Sequence, residues 1–203
     1  MTTKQEEIWS GQFGDAYVDR NQRVEQLAAK TAFFAKILNC TRSVDSVLEL
    51  GANVGLNMQA ISRLLPEADL YAVEINEKAY NTLKQIERLK AWNDSLFGFR
   101  PPKPVALSFT AGVLIHLNPD RLSEAYAALY EGSDRYVVIA EYYNPTPIEV
   151  PYRGQTEALF KRDWAGEMMD TYSDLRLVDY GFQYRRDPIF PMDDLTWFVL
   201  EKR

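Results

Sequence analysis

One run, Val47-Leu48-Glu49-Leu50-Gly51-Ala52-Asn53-Val54-Gly55-Leu56-Asn57, constrains this chain more than any other. Its apolar opening, ending in a carboxylate, reads as a short buried parallel strand. Two glycines four residues apart follow. Leu56, Ala60, Ile61, Leu64 and Leu65 then share one face of a helix until Pro66 stops the turn. A strand, a glycine loop and a helix together make a nucleotide cradle. Glycine turns sharply and leaves no Cβ between chain and ligand, while the helix start offers free N–H donors. A second apolar strand, Leu70-Tyr71-Ala72-Val73-Glu74, ends in a carboxylate 23 residues after Gly51. An acid at that distance, at the tip of the second strand, is placed to accept hydrogen bonds from ribose hydroxyls.

A dinucleotide fingerprint requires Gly-x-Gly-x-x-Gly, but its middle glycine is Asn53 here and its last position is Leu56. The spacing that fits is acid-x-Gly-x-x-x-Gly, from Glu49 to Gly55. It resembles the first motif of class I S-adenosylmethionine (SAM) methyltransferases, with Asn53 in place of their middle glycine. The competing reading is an ordinary strand-to-helix turn in some other α/β protein.

A chain of 203 residues has room for one well-packed domain and is short for two. The net charge of −6 opposes a nucleic-acid footprint, which needs a basic face. No apolar run approaches membrane-spanning length, and the polar start Met1-Thr2-Thr3-Lys4-Gln5 does not read as a signal peptide. The single cysteine, Cys40, supports neither an internal disulfide nor a thiolate metal site, so a reducing cytoplasm is the expected home. No metal site is expected: Asp193-Asp194 has no histidine or cysteine cluster beside it.

Residues 4–39 read as helical. Leu27, Thr31, Phe34, Ile37 and Leu38 give a helix that packs on the sheet. The aromatic and glycine-rich segment from Trp9 to Tyr17 has two readings, extra cover for the core or a lid over the cofactor. Its lid residues would be Phe13, Tyr17, Arg20 and Asn21. Asn76 caps a helix bearing Ala79, Leu83 and Ile86. A third strand lies within Leu89–Trp92, followed by the polar turn Asn93-Asp94-Ser95-Leu96 and a proline-broken loop over residues 97–104. A fourth strand, Val105–Thr110, should adjoin the first across the switch point of a doubly wound sheet. Asn118-Pro119 starts a helix that Gly132 ends, and Arg135–Glu141 is the fifth strand. The segment Tyr142–Gly154 holds three prolines and three tyrosines and reads as a stiff irregular loop. A helix bearing Met168 and Met169 runs on from Leu159–Trp164, and two antiparallel strands, Leu175–Tyr184 and Leu195–Glu201, close the sheet.

From about Trp9 to Arg203 the chain resembles the methylases associated with pseudaminic acid biosynthesis. The residues that carry this are the Glu49–Gly55 loop, Phe109–His116, Ala140–Pro147, Val150–Gly154, Leu159–Asp163 and Asp193–Phe198. The resemblance implies a single α/β domain, residues 1–203, with a Rossmann-like class I SAM-methyltransferase fold. Its seven-stranded, mostly parallel sheet would end in an antiparallel hairpin, with a helical lid segment at 1–40 and the core at 44–203. It implies SAM as cofactor and O-methylation of a small acidic sugar or nucleotide-linked sugar of a nonulosonic acid pathway. The expected cofactor residues are the four of the lid with Gly51, Asn53, Gly55, Asn57, Glu74, Ile75, Asn93, Asp94, Ser95, Leu96, Thr110 and Gly112.

The reactive end is expected at His116, the only histidine, whose ordinary pKa near 6.5 suits a general base. The structural alternative is a ring that only hydrogen-bonds the helix start at Asn118. Tyr142 or Tyr143 would orient the acceptor hydroxyl, or wall the loop. Asn144, Tyr152, Arg153, Lys161 and Arg162 would bind an anionic acceptor, since a guanidinium matches a carboxylate or phosphate with two hydrogen bonds; the alternative is that the three cations are surface charges paired with Glu157, Asp163 and Glu167. The competing functions are a catalytically silent SAM-binding partner subunit, a methyltransferase of a non-sugar carboxylic acid, and a nicotinamide oxidoreductase.

Overall fold

The computed structural model describes residues 2–20, 26–152 and 156–203. Helices α1 (Lys4–Ser10), α2 (Gln12–Arg20) and α3 (Gln26–Asn39) come first. The alternating core follows: β1 (Ser46–Leu50), α4 (Leu56–Leu64), β2 (Asp69–Glu74), α5 (Glu77–Leu83), β3 (Leu89–Asn93) and β4 (Val105–Ala111). After two short 3-10 turns come α6 (Leu122–Gly132), β5 (Ser133–Glu141), the two-residue strands β6 (Ile148–Glu149) and β7 (Phe160–Lys161), α7 (Trp164–Thr171), β8 (Leu175–Phe182) and β9 (Thr196–Lys202).

The seven long strands form one sheet in the order β3-β2-β1-β4-β5-β9-β8. The first five in that order are parallel, and β9 runs antiparallel to both β5 and β8. Every residue of β1 is buried, as a strand covered on both faces requires. On one face Leu48 and Leu50 pack with Leu129 and Trp164; on the other Val47 packs with Phe33, Phe34, Ile37, Met58 and Ile61. A side chain such as Phe34, 2 % exposed, contributes about 1.5–3 kcal/mol by leaving water.

The expected elements recur, except that α5 ends at Leu83 and so leaves Ile86 beyond it, and with four further differences. First, within the 1–40 segment expected as a lid, α3 packs on the sheet, as its apolar stripe requires, and the residues of that segment that roof the cavity belong to α1 and α2. Secondly, Tyr142–Gly154 is not wholly irregular: Ile148–Glu149 pairs antiparallel with Phe160–Lys161. Pro145, Pro147 and Pro151 flank this ladder without entering it, so they remove none of its donors. Thirdly, α7 begins only at Trp164, where the Asp163 carboxylate accepts from Gly166 N–H at 3.0 Å. Fourthly, Asn118-Pro119 opens a 3-10 turn before α6 begins at Leu122. Among the described residues no helix is long and apolar enough to cross a membrane.

Candidate active site

β1 pairs with β2 on one side and β4 on the other, so the loops leaving their carboxyl ends diverge. Such a switch point is where open α/β sheets bind ligands. A cavity of about 870 Å³ opens there, roofed by residues of α1 and α2.

Its floor is the glycine loop. Gly51 and Gly55 adopt φ of +78° and +79°, and a Cβ on Gly51 would stand 2.8 Å from the Val113 side chain. On Gly55 it would collide with the Ile86 and Leu83 side chains. Asn53 also adopts positive φ, +48°, which asparagine tolerates better than most residues. Its N–H donates to Glu74 Oε2 at 2.7 Å, and Asn76 N–H donates to Glu74 Oε1 at 2.8 Å. The loop thus fixes the carboxylate at the tip of β2, and each oxygen keeps a second lone pair for a ligand hydroxyl. Burial raises the Glu74 pKa, and these backbone donors oppose the rise.

A second polar chain runs beneath the loop. Lys30 Nζ donates to Asn57 Oδ1 at 2.7 Å, and Asn57 Nδ2 donates to Glu49 Oε1 at 2.6 Å. Glu49 Oε2 and Asn53 Oδ1 are buried with no protein partner. Burial pushes Glu49 up to about 8 and Lys30 below its ordinary value, so both are driven toward neutrality.

The roof is aromatic. Trp9 meets Phe13 and Tyr17 edge-on at 5.4 and 5.1 Å, and lies 4.6 Å from the His116 ring. Tyr152 stands 5.1 Å from His116 and 6.5 Å from Phe13. Asn76 ties roof to floor, since its Nδ2 donates to Trp9 O at 3.1 Å and to Asp15 Oδ1 at 2.9 Å. Glu6 accepts from Ser95 Oγ at 2.7 Å and pairs with Arg121 at 3.1 Å.

His116 sits in the turn after β4. Its Nδ1 lies 2.7 Å from Ala158 O, which requires the proton on Nδ1 and leaves Nε2 as an acceptor. Burial pushes its pKa down to about 4, against the carbonyl hydrogen bond, so the ring is neutral near pH 7. The turn is pinned by Glu141: Oε1 accepts from Val113 N–H at 3.0 Å and Leu114 N–H at 3.1 Å, and Oε2 from Ile115 N–H at 3.4 Å. Tyr142 also lines the cavity, and burial raises its pKa above the ordinary range, aided by nearby Asp193, so it stays a phenol.

Of the cofactor residues expected from sequence, Tyr17, Arg20, Gly51, Asn53, Asn57, Glu74, Ile75, Asp94, Ser95, Leu96 and Gly112 line this cavity, with His116, Tyr142 and Tyr152. Others are placed elsewhere. Phe13 backs the roof, Gly55 shapes the loop, and Asn93 Nδ2 binds Glu74 O and Ile75 O at 2.9 and 3.1 Å. Thr110 is wholly buried within β4. Tyr143 is 40 % exposed and leans on Phe198 instead of the cavity. Asn144 closes a turn on Thr146 O at 2.6 Å, Arg162 pairs with Glu167 at 2.7 Å, and the Lys161 ammonium lies over the Tyr142 ring at 5.6 Å. None of these last four residues lines the cavity. Asn21 and Arg153 lie outside the described residues.

Sequence reasoning missed Gln5, Glu6, Trp9 and Lys30 as lining residues. Lys30 carried a legible signal: it stands on the same helical stripe as the buried Leu27, Phe34 and Ile37. Among the described residues no three His, Cys, Asp or Glu side chains gather to hold a metal ion.

No protein-family model matches the sequence, and no curated protein matches it. Solved structures match the fold. One is the 1,6-didemethyltoxoflavin-N1-methyltransferase of Burkholderia thailandensis, with S-adenosylhomocysteine (SAH) bound: TM-score 0.72, 16 % identity, covering 100 % of this chain and 91 % of that one. Another is an amino pentose methyltransferase from Micromonospora echinaspora, with SAM bound: TM-score 0.68, 10 % identity, 94 % and 96 % coverage. A third is a magnesium protoporphyrin IX methyltransferase from Synechocystis, with SAM bound: TM-score 0.65, 12 % identity, 100 % and 99 % coverage. The chain therefore has the α/β fold of the SAM-dependent methyltransferases, including the antiparallel closing hairpin.

Proposed function

We propose that this chain is a SAM-dependent methyltransferase acting on a small-molecule acceptor. The observation that carries the reading is the glycine loop with the Glu74 carboxylate held beside it by Asn53 and Asn76 N–H, in a cavity roofed by aromatic side chains. The residues present fit the cofactor. Glu74 has spare lone pairs for the ribose, and Asp94, Ser95 and Leu96 line the same cavity, where they would flank the adenine. Glu49 Oε2 and Asn53 Oδ1 are buried polar atoms with no protein partner, which a polar group of a ligand would supply. That similar folds were crystallised with SAM or SAH adds support.

When bound, SAM supplies an electrophilic sulfonium methyl. The chain's part is to align a nucleophile with it, exclude water and take up a proton. His116 Nε2 faces this task as a neutral acceptor with its tautomer set by Ala158 O, while Trp9 and Tyr152 flank the ring and exclude water. A pKa near 4 makes it a weak base that accepts a hydrogen bond and orients the nucleophile more than it stores a proton.

For the acceptor, the resemblance of the proline–tyrosine segments favours an acidic or nucleotide-linked sugar of the pseudaminic type, O-methylated in the cytoplasm. The bound acid would rest on Arg153, because Lys161 and Arg162 stand off the cavity. The amino pentose substrate in one neighbour's name is a second reason to think of sugars. Incubating the protein with methyl-labelled SAM and a panel of acidic sugars, nucleotide sugars and small carboxylic acids tests both levels. SAH binding without transfer to any acceptor would favour a silent partner subunit, and NADH binding in preference to SAH would refute the assignment.

A further inference from the structure

One lining residue has a polar atom that neither the fold nor the cofactor reading uses. Gln5, on α1, is 6 % exposed, and its Oε1 is buried without a protein partner. The orientation of its amide is fixed, because Nε2 donates to Glu157 O at 3.0 Å and only the nitrogen end can do so. The next carbonyl along, Ala158 O, takes the Nδ1 proton of His116 at 2.7 Å. Consecutive backbone carbonyls therefore hold Gln5 and His116, both of which line the cavity. Each is anchored through its donor end, which leaves Gln5 Oε1 and His116 Nε2 as acceptors. A buried amide oxygen left unpaired costs free energy, so a fold that keeps one beside a cavity points to a ligand that pairs it.

We propose that Gln5 binds the acceptor substrate: its Oε1 and His116 Nε2 together receive a group carrying two hydrogen-bond donors, a primary amine or a vicinal diol. This rests on the methyltransferase reading and specifies its substrate class. A bare carboxylate brings no donor and would meet two lone pairs, so any acid group of the substrate must lie elsewhere. The methylated atom is then an oxygen or nitrogen whose own hydrogen is held by one of the two acceptors.

The test is calorimetry on SAH-saturated protein with glucosamine, glucose and acetate as probes, using wild type, Gln5→Leu and the length-matched Gln5→Met. Glucosamine binding in preference to glucose identifies the amine, and the reverse order the diol. Either donor-bearing probe should weaken about tenfold in both variants, while SAH affinity stays within twofold of wild type. Lys4→Ala, which removes the exposed Lys4–Glu157 ion pair of the same helix, should leave probe binding unchanged, separating loss of the amide from loosening of α1. The proposal is overturned if acetate alone binds, if no donor-bearing probe binds, or if both variants bind the probes as wild type does. A tenfold fall in SAH affinity would overturn it too, by assigning the amide to the cofactor. Wild-type protein that binds no SAH refutes the methyltransferase reading itself, a separate outcome.

Discussion

Glu141→Gln should reverse the sign of its effect on stability between pH 5 and pH 8. Glu141 is wholly buried at the end of β5, where its two oxygens accept from three successive N–H groups of the turn that carries His116. In the variant, the amide oxygen can keep Val113 and Leu114, but the amide nitrogen must face Ile115 N–H, donor against donor. One such unmet pair costs about 1–3 kcal/mol. Against this stands the wild-type carboxylate, which burial pushes up to about 7 from an ordinary 4.5. A carboxyl raised on folding binds its proton more tightly in the native state. Its stabilisation is therefore fully present below pH 4.5 and is lost as pH rises through 7. A rise of that size corresponds to about 3 kcal/mol, at 1.36 kcal/mol per pKa unit. The variant escapes this loss. Urea unfolding at pH 5 should show it about 1–3 kcal/mol less stable than wild type, and at pH 8 equal or more stable. A stability difference that does not change between the two pH values would refute the placement of a buried carboxyl with a raised pKa at this turn.

Other outcomes follow from the same geometry. Glu74→Ala would remove the bidentate ribose contact proposed for this carboxylate and free two loop donors, so SAH affinity should fall by about 2–3 kcal/mol, or about 30- to 150-fold, by calorimetry; unchanged affinity in a folded variant would remove Glu74 from the site. The single histidine gives one imidazole signal, and its proton NMR titration should have a midpoint near 4 where an exposed histidine has about 6.5. Since its pKa is depressed on folding, the unfolded chain binds the proton first, and stability should decline as pH falls from 6.5 toward 4. Deleting residues 1–20 should leave the core folded, because α3 stays, yet cut SAH affinity at least tenfold; normal binding would reduce α1 and α2 to a partner surface.

The core and the cradle were legible because short-range rules govern them. Apolar runs ending in Glu49 and Glu74, with Gly51 and Gly55 between, leave few arrangements other than a parallel strand-loop-helix unit. The acceptor side was less legible because it depends on where side chains converge from distant segments. Arg162 reads in sequence either as an anion ligand or as a surface charge paired with a nearby carboxylate such as Glu167, and the fold decides for Glu167, five residues on. Gln5 is ordinary in the polar N-terminal stretch, and its meaning comes from Glu157 O, 152 residues away. Lys30 falls between: its place on an apolar stripe was visible, but not its bond to Asn57. The short β6–β7 ladder was hidden by the prolines around it, which punctuate the chain without breaking the two residues that pair.

The central claim, that the cavity over Gly51, Gly55 and Glu74 holds SAM, is tested most directly by titrating the purified protein with SAH in a calorimeter, with NADH as the competing ligand. The account predicts one saturable SAH site per chain, no comparable heat from NADH, and an SAH site weakened about 30- to 150-fold in Glu74→Ala. NADH binding with no SAH site, or an SAH site indifferent to Glu74→Ala, would contradict it.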